Sequence, residues 1–115
     1  MTWLRRQVNV ASPPYFVALK LEAFEERGDG DIVGSTDFED VICLFNGRAS
    51  IAEEIAADEH LAGVLGRKFA EYLAAPELED AIDGFVLTEP DPPKRKADIL
   101  SRIQRVAALA QGMLE

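Results

Sequence analysis

The sequence predicts a mainly α-helical fold, with one N-terminal strand followed by about five helices in a compact bundle. Three observations lead to this prediction. Apolar residues recur at helical spacing over most of the chain, capping-box patterns precede two of the apolar stretches, and a period-two alternation is confined to residues 4–11. With 115 residues, 48% of them hydrophobic, the chain fits one domain that can bury a core.

The predicted strand covers residues 4–11, in which apolar and polar side chains largely alternate, and it ends at Pro13 and Pro14, which cannot donate to a sheet. A single strand cannot pair its own backbone groups. An unpaired edge with apolar side chains invites another chain. We therefore expect a homodimer, or a partner chain that docks through this strand.

The first helix is predicted over about residues 14–27, where apolar side chains form a wide surface and Gly28 supplies the stop. The second helix is predicted to begin with Thr36 as the N-cap and Glu39 at N3, which is the spacing of a capping box. It ends at Gly47. Cys43, on this helix, is expected to be a small buried residue.

Three more helices are predicted: one from Ser50 to about Ala74, one opened by Pro76, and one from a proline-rich connector at 89–93 to about Leu114. Ser50 and Glu53 repeat the capping-box spacing. Gly63 and Gly66 are the points at which the long third helix could break.

Composition restricts the class of protein. The net charge of −9 and the sequence pI of about 4.6 argue against broad binding to nucleic-acid backbones. The single cysteine cannot form an internal disulfide, and no apolar run approaches the roughly 20 residues that span a bilayer. We therefore expect a cytoplasmic protein that does not bind membranes, with its one histidine, His60, exposed.

Lys20 is unusual because it lies four residues from both Phe16 and Phe24, on an apolar helix face. Arg27 continues that face one turn later. One interpretation is a lysine that reaches water from the edge of the core, or pairs with a structural carboxylate. The other is a cation that binds phosphate. Spacing alone favours the first.

Asp37 and Asp40 are three residues apart and so lie on one side of the second helix. Acidic residues in a first turn complement the helix dipole, which is a sufficient structural explanation. Since Lys20 needs a partner, we expect it to form an ion pair with Asp37 or Asp40.

Gly34-Ser35 has the composition of a nucleotidyltransferase active-site motif. That chemistry also needs an acidic pair about a dozen residues later to hold metal ions. The corresponding window, residues 46–49, contains no acidic residue. The sequence therefore predicts no metal site and no complete catalytic set.

The stretch 8–48 resembles bacterial nucleotidyltransferase-fold proteins of the AbiEii/AbiGii toxin type. It contains VNVASPPYFVALKLEAF, an RGDGD loop, STDFEDVI and NGR, in that order. In that family a strand leads to a helix with a Leu-x-x-Lys-x-x-Ala pattern, and a later helix carries Asp-x-x-Asp. The match covers about a third of the chain.

The resemblance implies that Lys20 is the family's motif lysine, near nucleotide phosphates, with Arg27 beside it. It also implies that Asp37 and Asp40 are the supporting carboxylates. The family's Gly-Ser motif and metal-binding pair precede the strand that here begins near Leu4. The expected domain, residues 1–115, is thus a C-terminal helical part whose catalytic N-terminal part is absent.

Two functions follow as expectations. The first is an incomplete or non-catalytic nucleotidyltransferase-like domain of a toxin–antitoxin or phage-defence system, inactive alone. It would bind Mg²⁺ and a nucleoside triphosphate as cofactors only if the missing catalytic half were supplied. The alternative is a helical interaction module, antitoxin-like or regulatory, whose acidic surface binds a basic partner.

Overall fold

The computed structural model describes residues 12–27 and 30–114, and within them it contains six α-helices and no strand. The helices are α1 Pro13–Glu26, α2 Thr36–Gly47, α3 Ile51–Ala56, α4 Glu59–Ala74, α5 Glu77–Val86 and α6 Pro92–Leu114. The prediction of a mainly helical fold is confirmed. The predicted strand at 4–11 lies outside the described residues.

The N-terminus of α2 differs by one residue from the prediction. Ser35, not Thr36, is the N-cap, and its hydroxyl oxygen accepts a hydrogen bond from the Phe38 backbone N–H at 3.0 Å. Phe38 therefore occupies N3. The predicted capping box with Glu39 was wrong, and the Glu39 carboxylate is left without a capping role.

The predicted long third helix is two helices, α3 and α4, and the break lies at residues 57–58 rather than at a glycine. Asp58 caps the second of them, because its carboxylate accepts a hydrogen bond from the Leu61 N–H at 3.1 Å. The side chain of Asp58 thus caps the start of α4, and this helix then continues through Gly63 and Gly66 without a break.

Helices α4 and α6 form the centre of the bundle, and they approach each other closely at Gly66. A Cβ atom added to Gly66 would lie 2.8 Å from the backbone N and 2.9 Å from the Cβ of Ala110. The fully buried larger side chains of the bundle are Phe38, Phe45, Phe69, Leu21, Ile42, Ile51, Ile55, Leu65, Leu78, Ile82, Ile99 and Ile103. They come from all six helices, so the described residues share one core.

Aromatic rings join α1 and α2 to this centre. Phe24 and Phe38 pack edge to face with ring centroids 5.3 Å apart, and both contact Tyr72 on α4. The Tyr72 hydroxyl donates to Glu25 at 2.8 Å, and Glu25 also pairs with Lys68. Burial alone would raise the pKa of Glu25, but the hydrogen bonds from Lys68 and Tyr72 lower it below its ordinary value.

Two sequence predictions about single side chains have opposite outcomes. His60 is exposed, as expected. Cys43 was expected to be buried and is exposed, because Val41, Ile42 and Phe45 define the inward side of α2 and position 43 falls on the outward side. Among the described residues, no helix is both long and apolar enough to cross a bilayer.

Candidate functional site

The structure brings the four candidate site residues together between α1 and α2. The Lys20 ammonium lies 2.8 Å from an Asp40 carboxylate oxygen and 3.7 Å from one of Asp37. Arg27, directly after α1, donates through Nε to the other Asp37 oxygen at 2.8 Å. The predicted ion pair between Lys20 and these aspartates is confirmed, and it involves both of them. We call these four residues the Lys20 cluster.

Local structure explains why the cluster forms. Asp37 is in the first turn of α2, where the helix dipole favours a carboxylate, and Asp40 follows on the same side one turn later. The packing of Phe24 on Phe38 holds α1 against α2 at this level. The cluster is therefore fixed by core contacts directly beneath it.

The electrostatics of the cluster follow from its hydrogen bonds. The Arg27 guanidinium, and after it Lys20, holds the pKa of Asp37 below its ordinary value despite the opposing effect of burial. The hydrogen bond to Asp40 is the main reason that the pKa of Lys20 is raised. Asp37 and Lys20 are therefore charged at neutral pH.

Exposure differs strongly within the cluster. The side chain of Asp37 is 10% exposed, that of Lys20 is 30% exposed and that of Arg27 is 71% exposed. Within the described residues, Nε is the one nitrogen of Arg27 that donates a hydrogen bond. The Asp37 carboxylate thus lies at the bottom of the cluster and Arg27 lies at its rim.

A small cleft of about 110 Å³ adjoins Arg27, and Phe24, Gly34 and Ser35 contribute to its lining. Asp31 also lines it and accepts a hydrogen bond from the Gly34 N–H at 3.0 Å. This turn places Gly34-Ser35 beside the cluster, at the start of α2. The sequence alone could not predict that this dipeptide lies near Arg27.

One contact of the cluster was missed by the sequence reasoning, although the pattern contained it. The Lys20 ammonium lies 5.6 Å from the centroid of the Phe16 ring, which is a cation–π distance. The i, i+4 spacing of Phe16 and Lys20 is the signal that could have predicted it. Lys20 therefore contacts Phe16 as well as the two aspartates.

The described residues contain no group of three or more His, Cys, Asp or Glu side chains that could hold a metal ion. The Lys20 cluster offers two carboxylates, both already in contact with cations. Comparisons of the chain with protein-family models, with curated proteins and with solved structures found no match.

Proposed function

We propose that the chain is a nucleotidyltransferase-like helical domain and that the Lys20 cluster contributes to a nucleoside triphosphate site. The observation that carries the proposal is the convergence of Lys20 and Arg27 on Asp37, with Asp40 beside them. The resemblance in the stretch 8–48 singled out these same four residues. Under this proposal the chain binds nucleotide without transferring it, and the metal-binding acidic pair comes from another polypeptide segment.

The orientation of Arg27 supports a phosphate-binding role. Its Nε is held by Asp37, which fixes the plane of the guanidinium. The two terminal amino groups then present a fork of parallel donors, the arrangement that matches two phosphate oxygens. Lys20 adds a second cation in the same cluster.

The carboxylates limit the affinity of such a site. Lys20 and Arg27 carry two positive charges, and Asp37 and Asp40 carry two negative charges, so the formal charges of the cluster cancel. An incoming triphosphate therefore gains little from long-range attraction. We expect weak, millimolar binding of ATP to the chain by itself, which would strengthen when the metal-binding segment is supplied.

The test compares ATP binding by the native chain and by Lys20→Ala/Arg27→Ala, using NMR titration with Mg²⁺ present. We expect shifts in the amides around residues 20, 27 and 34–37 in the native chain. In the variant the affinity should fall at least about ten-fold, because charge-assisted hydrogen bonds to phosphate are lost.

The matched control is Lys68→Ala/Arg105→Ala, which also removes two ion-paired cations. Lys68, 30% exposed like Lys20, pairs with Glu25, while Arg105 pairs with Glu53. This variant should bind ATP as the native chain does. Equal losses in the two variants, or no shifts near the cluster in the native chain, would show that the cluster only joins α1 to α2.

A further inference from the structure

A second cleft, on the opposite side of α2, carries two carboxylates that no described residue neutralises. It has a volume of about 170 Å³ and lies between the 32–35 turn, α2 and α5. Glu39 of α2 and Asp80 of α5 both line it. We call it the Glu39–Asp80 cleft. None of the four residues of the Lys20 cluster lines it.

The walls of the cleft are otherwise mostly apolar. Its apolar lining residues differ in exposure. Two are buried (Ile32 and Ile42), two are half-buried (Ala81 and Phe85), and one is exposed (Val33). The volume of the cleft is about ten times the volume that a single water molecule needs. The cleft can therefore admit a side chain with an apolar stem.

The absence of cations at this cleft is notable because neighbouring carboxylates are paired. Glu79 and Asp83, also on α5, both contact Lys96 at about 3 Å. Within the described residues, neither Glu39 nor Asp80 has an ion pair or a side-chain hydrogen bond. Glu39 has no capping partner because Ser35, rather than Thr36, is the N-cap of α2, which places Glu39 beyond the N3 position of a capping box.

We propose that the Glu39–Asp80 cleft binds a lysine or arginine side chain of a partner polypeptide. Long basic side chains bury an aliphatic stem against apolar surface and keep the charged end among polar groups. The cleft has both parts, an apolar floor and two carboxylates, and the net charge of −9 attracts a basic partner. This proposal does not depend on nucleotide binding at the Lys20 cluster.

The probe is the peptide acetyl-Leu-Lys-Leu-amide, titrated into the isotopically labelled chain and followed by amide chemical shifts. Its analogue with norleucine in place of lysine has nearly the same stem without the charge. We expect saturable shifts at residues 32–35, 39 and 80–85 with the lysine peptide. The norleucine peptide should bind about ten-fold more weakly, because it lacks the charge-assisted contacts.

Two variants of the chain locate the binding. Glu39→Gln/Asp80→Asn should weaken the lysine peptide about ten-fold, whereas Glu26→Gln/Glu71→Gln removes the same charge outside the cleft and should leave affinity unchanged. Gly84→Leu should block binding, because it adds a side chain to the α5 wall of the cleft. A Cβ at Gly84 meets no atom within 4 Å, and leucine favours helix more than glycine, so this variant should fold.

Three results would overturn the proposal. Equal weakening by the two charge-removing variants would indicate general attraction to an acidic surface, which salt would also screen. Equal binding of the lysine and norleucine peptides would indicate a purely apolar pocket. Undiminished binding to Gly84→Leu, with its helical content and melting temperature retained, would place the peptide elsewhere.

Discussion

Asp37 is the one charged side chain that is buried among the described residues, and it contacts two cations from outside its own helix. A buried carboxylate is stabilised only when its oxygens are paired and hydrogen-bonded. One oxygen of Asp37 faces Lys20 and the other accepts from Arg27. This residue therefore links the end of α1 to the start of α2.

The pH dependence of unfolding should report this link. Because the native pKa of Asp37 is lowered from 3.8, its ionised form stabilises the folded state above the unfolded pKa. That stabilisation is complete above roughly pH 5 and is lost as the pH falls below 3.8 through the native pKa. Asp37→Asn should therefore melt at a lower temperature than the native chain at pH 7, and the difference should shrink as the pH falls below 3.8.

The control for this prediction is Asp80→Asn, which removes a carboxylate that has no ion pair within the described residues. It should lower the melting temperature little at any pH. A difference between Asp37→Asn and the native chain that stays constant from pH 7 through the acid unfolding range would contradict an electrostatic origin and would indicate a packing defect.

At the scale of elements, the closest approach in the bundle is that of α4 and α6 at Gly66. The neighbouring atoms are the backbone N and the Cβ of Ala110 and the backbone O of Val106, none of which can rotate away as the end of a flexible side chain can. Close packing of this kind transmits even a one-carbon change to the surrounding structure. The helix pair is thus sensitive at a position where sequence reasoning placed only a possible helix break.

Gly66→Ala should destabilise the chain by roughly 1–3 kcal/mol, since the cost of overpacking exceeds the gain in helix propensity. Gly84→Ala is the matched comparison, because its Cβ, in the last turn of α5, would meet no atom within 4 Å. It should stabilise by up to about 1 kcal/mol. Denaturant unfolding of the two variants measures both effects, and stabilisation by Gly66→Ala would contradict the close contact.

The helices themselves were largely predictable, and the errors have local causes. Periodicity and stop signals predicted the ends of α1, α2 and α6 to within one to three residues of those observed, because these helices bury a clear apolar face. The break before α4 was missed although Asp58, a residue type favoured at N-caps, directly precedes this helix. Cys43 was misplaced because apolar neighbours along the chain do not share a helix face.

The two candidate sites differ in how far sequence could predict them. Lys20 and Asp37 belong to consecutive helices, so an unpaired cation and a nearby carboxylate sufficed to predict their contact. Glu39 and Asp80 are on helices separated by α3 and α4, and no pattern along the chain relates them. Only the packing of α2 against α5 brings these two carboxylates to one cleft.

At the scale of the whole molecule, α2 separates the two candidate sites. It presents Asp37 and Asp40 to α1 on one side and Glu39 to the cleft with α5 on another. The N-terminal strand predicted at residues 4–11 lies outside the described residues, which begin one residue before α1. Tyr15 and Leu19, one turn apart on α1, are exposed large apolar residues that such a segment or a partner could cover.

The predicted docking of the strand can be tested through the oligomeric state. If a second chain pairs with residues 4–11, sedimentation should show dimers that increase with protein concentration. Val8→Lys should abolish them by placing a charge on the apolar face. Leu87→Lys is the control, because Leu87 is 76% exposed and lies at the end of α5. A strict monomer at high concentration would contradict the docking edge.

The contact between Gly66 and Ala110 also has an evolutionary consequence. Surface residues can be replaced freely while a fold is retained, but a helix crossing without room for a methyl group cannot accept a side chain. Distant descendants of the same ancestor should therefore retain a glycine in the middle of the fourth helix and a small residue near the end of the sixth. This pair of positions, 44 residues apart in the chain, offers a criterion for finding relatives after overall sequence similarity has faded.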